Sequence, residues 1–298
     1  MNCFPTPVEG GLKIVLPRRG KSVLWAATAT HKIVWTPLRG GGQSVFQPPM
    51  GGWKIELFFV YKLKQHNNLF CILINMSLIL VYDVETTGLL PKAGSTQPNP
   101  HVIQFSFVLY DVEDMRIIES HNYFIRVGPD VVISPKITEL TGITRKMCDT
   151  KGIPIEDALI QFERLYDMAH IIIAHNRQFD SQMLKIEIER HREHPKIRNM
   201  LLFDNAEDKL TGTLHVCTMM SSVKLCNIMV EKPGQKPYAK WPTLLELHEH
   251  LFDTIPANLH NAIVDVLVCL RCFVNMHYNI VISEEEFATM IDLVMIEG

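Results

Sequence analysis

The first residues in this chain with the means to do chemistry are two acids at the end of an apolar run. Asp83 and Glu85 stand two positions apart in Asp83-Val84-Glu85-Thr86-Thr87-Gly88, directly after residues 77–82 (SLILVY). Side chains alternate along a strand, so both acids point to one face. Like charges so placed repel each other unless a cation lies between them. Hard divalent ions such as Mg²⁺ take oxygen ligands and are the natural partner. The plainer reading is a solvated strand end, but the preceding run is too apolar for a wet edge.

Two further segments carry acids. In His175-Asn176-Arg177-Gln178-Phe179-Asp180, Asp180 is predicted in the first turn of a helix. There it either serves a site or only complements the positive end of the helix dipole. Asn176 reads equally well as a turn or N-cap residue. In His260-Asn261-Ala262-Ile263-Val264-Asp265, a long apolar helix begins. His260 is placed to swing over a site lined by Asp265, or else the two are a capping His and a solvated Asp. Taken together and in this order, the three segments support two-metal phosphodiester hydrolysis. Asp83, Glu85, Asp180 and Asp265 would hold two Mg²⁺ or Mn²⁺ ions about 3.5–4 Å apart. Such ions grip the scissile phosphate, acidify a water and stabilise the leaving 3′-oxygen. His260 would take the proton from that water. Without metal the acids would repel a polyanion.

The elements that must position these residues are legible from Met76 onward. Residues 77–82 read as a buried central strand. Residues 101–110 and 116–127 alternate like two paired strands. A helix is predicted over 155–168, a buried strand over 170–174, a helix over 179–191 and a short strand over 213–216. Helices over 243–252, 261–277 and 284–295 complete the chain. The layout is α/β, strands first and then strands alternating with helices.

Composition narrows the class. With 298 residues, 47% hydrophobic and 20% charged, the chain is long enough for a substantial core and is not disordered throughout. Seven Cys, an odd number at irregular spacings, read as reduced thiols in an intracellular protein. The longest apolar stretch, residues 69–82, is broken by Asn75 and Ser77 and is too short to span a bilayer. The first residues lack a positive n-region and an apolar h-region, so no secretory signal and no membrane association is expected. Charge is uneven. Residues 1–75 hold nine Lys/Arg against two Asp/Glu, and residues 76–298 hold 20 against 30. The organisation predicted is therefore an N-terminal extension, 1–75, and a main domain, 76–298. The extension is either a small β-rich region, with β-prone pieces at 22–25 and 32–35, or a translated leader before a start at Met76.

The motifs resemble the DEDDh branch of the DnaQ-like 3′–5′ exonucleases, which includes the epsilon proofreading subunits of bacterial replicative polymerases. The match is D-x-E-T-T-G at 83–88, H-N-x-x-F-D at 175–180 and H-x-A-x-x-D at 260–265, over roughly two thirds of the chain. The tyrosine branch would carry Tyr where Asn261 stands. Residues 135–144 (PKITELTGIT) resemble the family segment before the second motif, and Cys217-Thr218 a family strand end. The resemblance implies an RNase H-like fold, a mixed central sheet flanked by helices. It also implies release of nucleoside 5′-monophosphates from single-stranded or frayed 3′ ends of DNA, with RNA as the alternative substrate. By the same resemblance Asp83, Glu85, Asp180 and Asp265 are metal ligands and His260 the general base. Thr86 and Leu89 would lie against the terminal nucleotide, Asn176 would support the site, and Thr141 would contact substrate. A DNA polymerase is the implied protein partner, in proofreading or end trimming at a cytoplasmic or nucleoid replication site.

Other signals read as structural. His248-Glu249-His250 is a poor chelate on a helix and reads as a solvated face. Cys269 and Cys272 read as core thiols, and Ile186 and Ile188 as packing positions. Lys185, Arg190 and Arg192, with Glu187, Glu189 and Glu193, read as a salt-bridged helix surface. Residues 224–240, with Lys232, Lys236, Lys240 and Tyr238, are either a basic loop near nucleic acid or an ordinary exposed connection. A non-catalytic nucleic-acid or polymerase-binding module is the competing function, but such a module has no need of four clustered acids.

Overall fold

A computed structural model describes residues 12–18, 21–27, 33–35, 77–256 and 259–297. The chain divides into two compact units, Met1–Lys62 and Leu63–Gly298. In the first unit β1 (Leu12–Arg18), β2 (Lys21–Ala27) and β3 (Ile33–Trp35) form an antiparallel sheet in that order. The β-prone piece at 22–25 falls on β2, and residues 33–35 of the piece at 32–35 form β3, residue 32 lying outside the described residues. The expected boundary at 75/76 lies outside the described residues.

The second unit is built on a five-stranded sheet. Its strands are β4 (Leu78–Thr86), β5 (Val102–Asp111), β6 (Arg116–Phe124), β7 (Ile171–Ala174) and β8 (Leu214–Cys217), in the order β6-β5-β4-β7-β8. The β4–β5 and β5–β6 pairs are antiparallel, and β4–β7 and β7–β8 are parallel. The carboxyl ends of β4, β7 and β8 therefore share one edge of the sheet, where open α/β sheets place their ligands. Between the strands run α1 (Pro135–Thr141), α2 (Arg145–Lys151), α3 (Ile155–Tyr166), α4 (Arg177–Arg190), α5 (Asn205–Thr211), α6 (Thr218–Ser221) and α7 (Val223–Cys226). A small hairpin, β9 (Met229–Val230) and β10 (Tyr238–Ala239), precedes α8 (Leu244–Phe252), α9 (Ala262–Tyr278) and α10 (Glu284–Glu297).

The period of two along β4 assigns its faces. Leu80, Tyr82 and Val84 join Phe105, Phe107, Ile172 and Ala174 under α3 and α4, where Phe162, Met183 and Leu184 are buried. Ile79 and Val81 face the other layer with Ile171 and Ile173, under Val264, Leu267 and Val268 of α9. The odd-numbered face continues into Asp83 and Glu85, so the same alternation that buries α9 carries both acids to its N-terminal end.

α9 is buried nearly all round because α8 and α10 cover its outer side. Two expectations are corrected here. His248 is not on a solvated face but is 1% exposed. Its Nδ1–H donates to Thr254 O at 3.0 Å and its Nε2 accepts from Arg271 Nη1 at 3.1 Å. Arg271, 2% exposed, also donates to Ile282 O and Glu284 Oε1 and stacks on Phe252 and Phe287, so one buried guanidinium ties α8, α9 and α10 together. Glu187 likewise leaves the helix surface. It is buried in α4, accepting from Val102 N at 3.0 Å and from Arg190 Nη1 at 2.7 Å. Cys269 and Cys272 are buried core thiols, and Ile186 and Ile188 pack on the α3/α4 layer.

Candidate active site

Three chain segments meet at the carboxyl ends of β4 and β7. Asp83 and Glu85 close β4 on the face turned to α9. β7 ends at Ala174, and α4 starts three residues later at Arg177, placing Asp180 in its first turn. Asn176 makes the sharp join between them in the left-handed conformation (φ 60°, ψ 40°), which Asn tolerates, and it gives α4 no side-chain cap. α9 is capped by Asn261, whose Oδ1 accepts from Ile263 N, and Asp265 lies in its first turn.

Ligand atoms of Glu85, His260 and Asp265 lie within 4.8 Å of one another. Asp83 and Asp180 stand outside that tight group but share its electrostatics. Burial holds the Asp83 carboxyl well above the usual carboxylate range, and the charges of Asp180, Asp265 and Glu85 push it further. Burial also raises Asp180, against the backbone N–H groups of Asp180 and Val84, with Glu85 and Asp265 adding to the rise. Glu85 is pushed up to about 8 by burial and by Asp265, and Asp265 to about 7 by burial. The charge of Asp265 thus weighs on Asp83, Glu85 and Asp180, and a cation among these acids would relieve that repulsion.

The donor set fits a hard divalent ion. Asp265 Oδ1 is buried with no hydrogen-bond partner, while Oδ2 accepts from His260 N at 3.2 Å. A buried carboxylate oxygen left without a donor is costly unless a cation meets it. His260 itself is exposed and left-handed (φ 67°), a conformation costly for a residue of its shape and common where a site dictates the backbone.

These carboxylates give the metal-free protein a pH signature. Their folded pKa values lie above the unfolded ones near 4, so the folded state binds the extra protons. The stability they contribute is complete below pH 4 and is lost as pH rises through about 7 and 8. Added Mg²⁺ should therefore raise the melting temperature more at pH 8.5 than at pH 6.5, where it must displace protons. Differential scanning fluorimetry in EDTA and in Mg²⁺ checks this, and an equal Mg²⁺ effect at both pH values contradicts it.

A polar row that the sequence reading missed locks the site from below. Ser106 pairs with Asp83 across the ladder and Gln104 with Glu85, so both share the acidic face. Gln104 is 1% exposed. Its Oε1 accepts from Ala262 N at 3.3 Å, and its Nε2 donates to Asn122 Oδ1 at 2.8 Å and to Asn261 Oδ1 at 3.2 Å. Ser106 Oγ donates to the same Asn122 oxygen at 2.8 Å. Gln104 thus holds the first turn of α9, and with it His260 and Asp265, against the sheet. Gln104→Ala should cost about 1–3 kcal/mol by stranding these buried groups. It should also lower turnover about 10-fold through misplacement of α9. Gln104→Glu, which keeps the acceptor for Ala262 N, should fall between; thermal melts with kinetics read both effects.

A cleft of about 1000 Å³ opens beside the acids, lined by Glu85, Thr86, Leu89, Thr141, Lys136 and Phe179, among others. Thr86 is buried and its Oγ1 donates to Gly88 O at 2.7 Å, which tightens the turn after the acids. Leu89 is 85% exposed at the cleft. Asn176 borders a separate depression of about 210 Å³ with Leu90, Gln178, Phe179 and Gln182. His175 is structural: its Nε2–H donates to Pro242 O at 3.1 Å and its Nδ1 accepts from Thr218 Oγ1 at 2.9 Å. Burial lowers its pKa to about 4, so it stays neutral in that role.

Part of this chain is similar to known proteins. The chain is 37% identical over 106 residues to a PolC-type DNA polymerase III of Mycoplasmopsis pulmonis, covering 36% of this chain and 7% of that protein. It is 33% identical over 114 residues to the 3′-5′ exonuclease DinG of Bacillus subtilis, covering 38% of this chain and 11% of that protein. The chain therefore spans about a tenth or less of the length of these relatives. A structure of exonuclease I superposes with a TM-score of 0.50 at 18% identity, over 72% of this chain and 43% of that one, and shares the fold. The mixed sheet with helices on both faces is the RNase H-like fold expected from the motifs. Among the described residues no helix is long and apolar enough to cross a membrane. A family profile for exonucleases of the RNase T type matches residues 80–273, and the chain belongs to that DnaQ-like exonuclease family.

Proposed function

We propose that this chain is a metal-dependent 3′–5′ exonuclease of the DEDDh type. It hydrolyses phosphodiester bonds from the free 3′ end of DNA and releases nucleoside 5′-monophosphates. The observation that carries the reading is the convergence of Glu85, His260 and Asp265 within 4.8 Å at a face that also holds Asp83 and Asp180. Asp83, Glu85, Asp180 and Asp265 would hold two Mg²⁺ or Mn²⁺ ions, which would supply charge neutralisation at the phosphate and acidify a water. His260, an exposed residue, takes the proton from the attacking water and passes it to solvent. Thr86, Leu89 and Thr141 receive the terminal nucleotide in the adjoining cleft, with Leu89 offering apolar surface to its base and Asn176 at the border. Proofreading or end trimming in the cell, beside a DNA polymerase, is the setting that the PolC-type relatives support.

The test uses 5′-labelled single strands of DNA and RNA of matched sequence, ending in 3′-hydroxyl or 3′-phosphate. The expected result is a ladder shortening one nucleotide at a time from free 3′-hydroxyl ends, faster on DNA. Faster decay of RNA would make the chain an exoribonuclease. Internal cuts would contradict an exonuclease, and binding without any cleavage would leave a nucleic-acid-binding module.

A further inference from the structure

The β9–β10 hairpin and its flanks present a chemistry that the acidic site does not use. Lys232, Lys236 and Tyr238 are exposed, and Trp241, just beyond β10, is 63% exposed. An indole left in water is unusual for so large an apolar group. Between residues 223 and 242 stand Lys224, Lys232, Lys236 and Lys240 against Glu231 alone, within a region of 20 basic and 30 acidic residues. Among the described residues, Lys240 alone of these pairs with an acid, Glu246. Lys232 Nζ lies 5.8 Å from the centroid of the Tyr238 ring, so cation and aromatic already share a surface.

The hairpin also ends at the active site. Trp241 is followed by Pro242, whose carbonyl oxygen is held by His175, and His175 directly precedes Asn176 and the helix that carries Asp180. Through His175 and Pro242 the base of the hairpin is tied to the carboxyl end of β7, so its basic and aromatic residues adjoin the element that carries Asp180. We propose that this hairpin is the track for the single-stranded polynucleotide 5′ of the scissile nucleotide. Bases stack on Tyr238 and Trp241, and Lys232 and Lys236 meet the phosphates. A protein partner fits less well, because lysine is depleted in the cores of protein interfaces. The proposal rests on the exonuclease reading.

The test compares the full chain with a Tyr238→Ala, Trp241→Ala variant and a Lys232→Glu, Lys236→Glu variant. Two substrates are used: a 15-nucleotide single strand, and the p-nitrophenyl ester of thymidine 5′-monophosphate, which is too short to reach the hairpin. For each variant KM on the 15-mer should rise about 10-fold, with kcat and ester hydrolysis unchanged. The lysine variant should also flatten the salt dependence of KM between 50 and 200 mM. KM for the 15-mer within about twofold of wild type in both variants would overturn the track. Failure of the wild-type chain to turn over either substrate would count against the exonuclease reading instead. Fluorescence anisotropy with labelled dT15 in Mg²⁺ then decides the hairpin: about 10-fold weaker binding supports it, and unchanged binding overturns it.

Discussion

Replacing Asp83 with Asn is expected to lower turnover about 10³-fold or more, while the metal-free protein becomes more stable than wild type. The first effect follows from losing a carboxylate where the ions' charge contributes several kcal/mol to the transition state. The second follows from electrostatics alone. Asp83 is held above the usual carboxylate range by burial and by three neighbouring acids, so its ionised form is a liability in the absence of a cation. Asn keeps the shape and removes the charge. At pH 8 in EDTA the variant should therefore melt above wild type, and the rise in melting temperature on adding Mg²⁺ should shrink. The opposed signs make the result diagnostic. A merely structural Asp83 would lower stability and activity together, and turnover within tenfold of wild type would remove it from the machinery.

His260→Ala should cut turnover by about 10²–10⁴-fold, the range for loss of a general base. The fold should survive, because the bond to Asp265 Oδ2 comes from the backbone N–H of residue 260. The ring nevertheless lies at ligand distance from Glu85 and Asp265, so base and ligand roles must be separated. As a base, His260 is dispensable for metal binding, and the alanine variant keeps the Mg²⁺-induced rise in melting temperature. His260→Asn is the companion variant, since Asn tolerates the left-handed backbone found there. Equal inactivity of both variants with metal stabilisation retained supports the base. Loss of metal stabilisation would make His260 a ligand, and normal turnover would end its catalytic role.

The acids were legible because chemistry and local structure coincide in short segments. An apolar run stops at Asp83, a buried strand stops just before His175, and an apolar helix starts after His260, so each motif sits where an element begins or ends. The polar support was not legible, for a physical reason. In β5, Gln104 and Ser106 alternate with Ile103, Phe105 and Phe107, a pattern that reads as a strand with one wet face. Both are buried because the N-terminus of α9, far along the chain, lies over them. His248 and Glu187 misled in the same way: each is polar on a helix with charged neighbours, and each has a partner that only the tertiary fold delivers, Arg271 and Val102 N. The short helices α1 and α2 went unassigned although Ser134 and Thr144 cap them through Ile137 N and Met147 N. Seven residues are too few to show a hydrophobic period, and only the caps mark them.

The most direct measurement is release of label from the 3′-terminal nucleotide of single-stranded DNA, with Mg²⁺ or with EDTA, with the product identified by chromatography. The account predicts nucleoside 5′-monophosphate in Mg²⁺ and none in EDTA. Release that persists in EDTA, or a product carrying a 3′-phosphate, would contradict a site in which four carboxylates and a metal hydrolyse the bond at the 3′-oxygen.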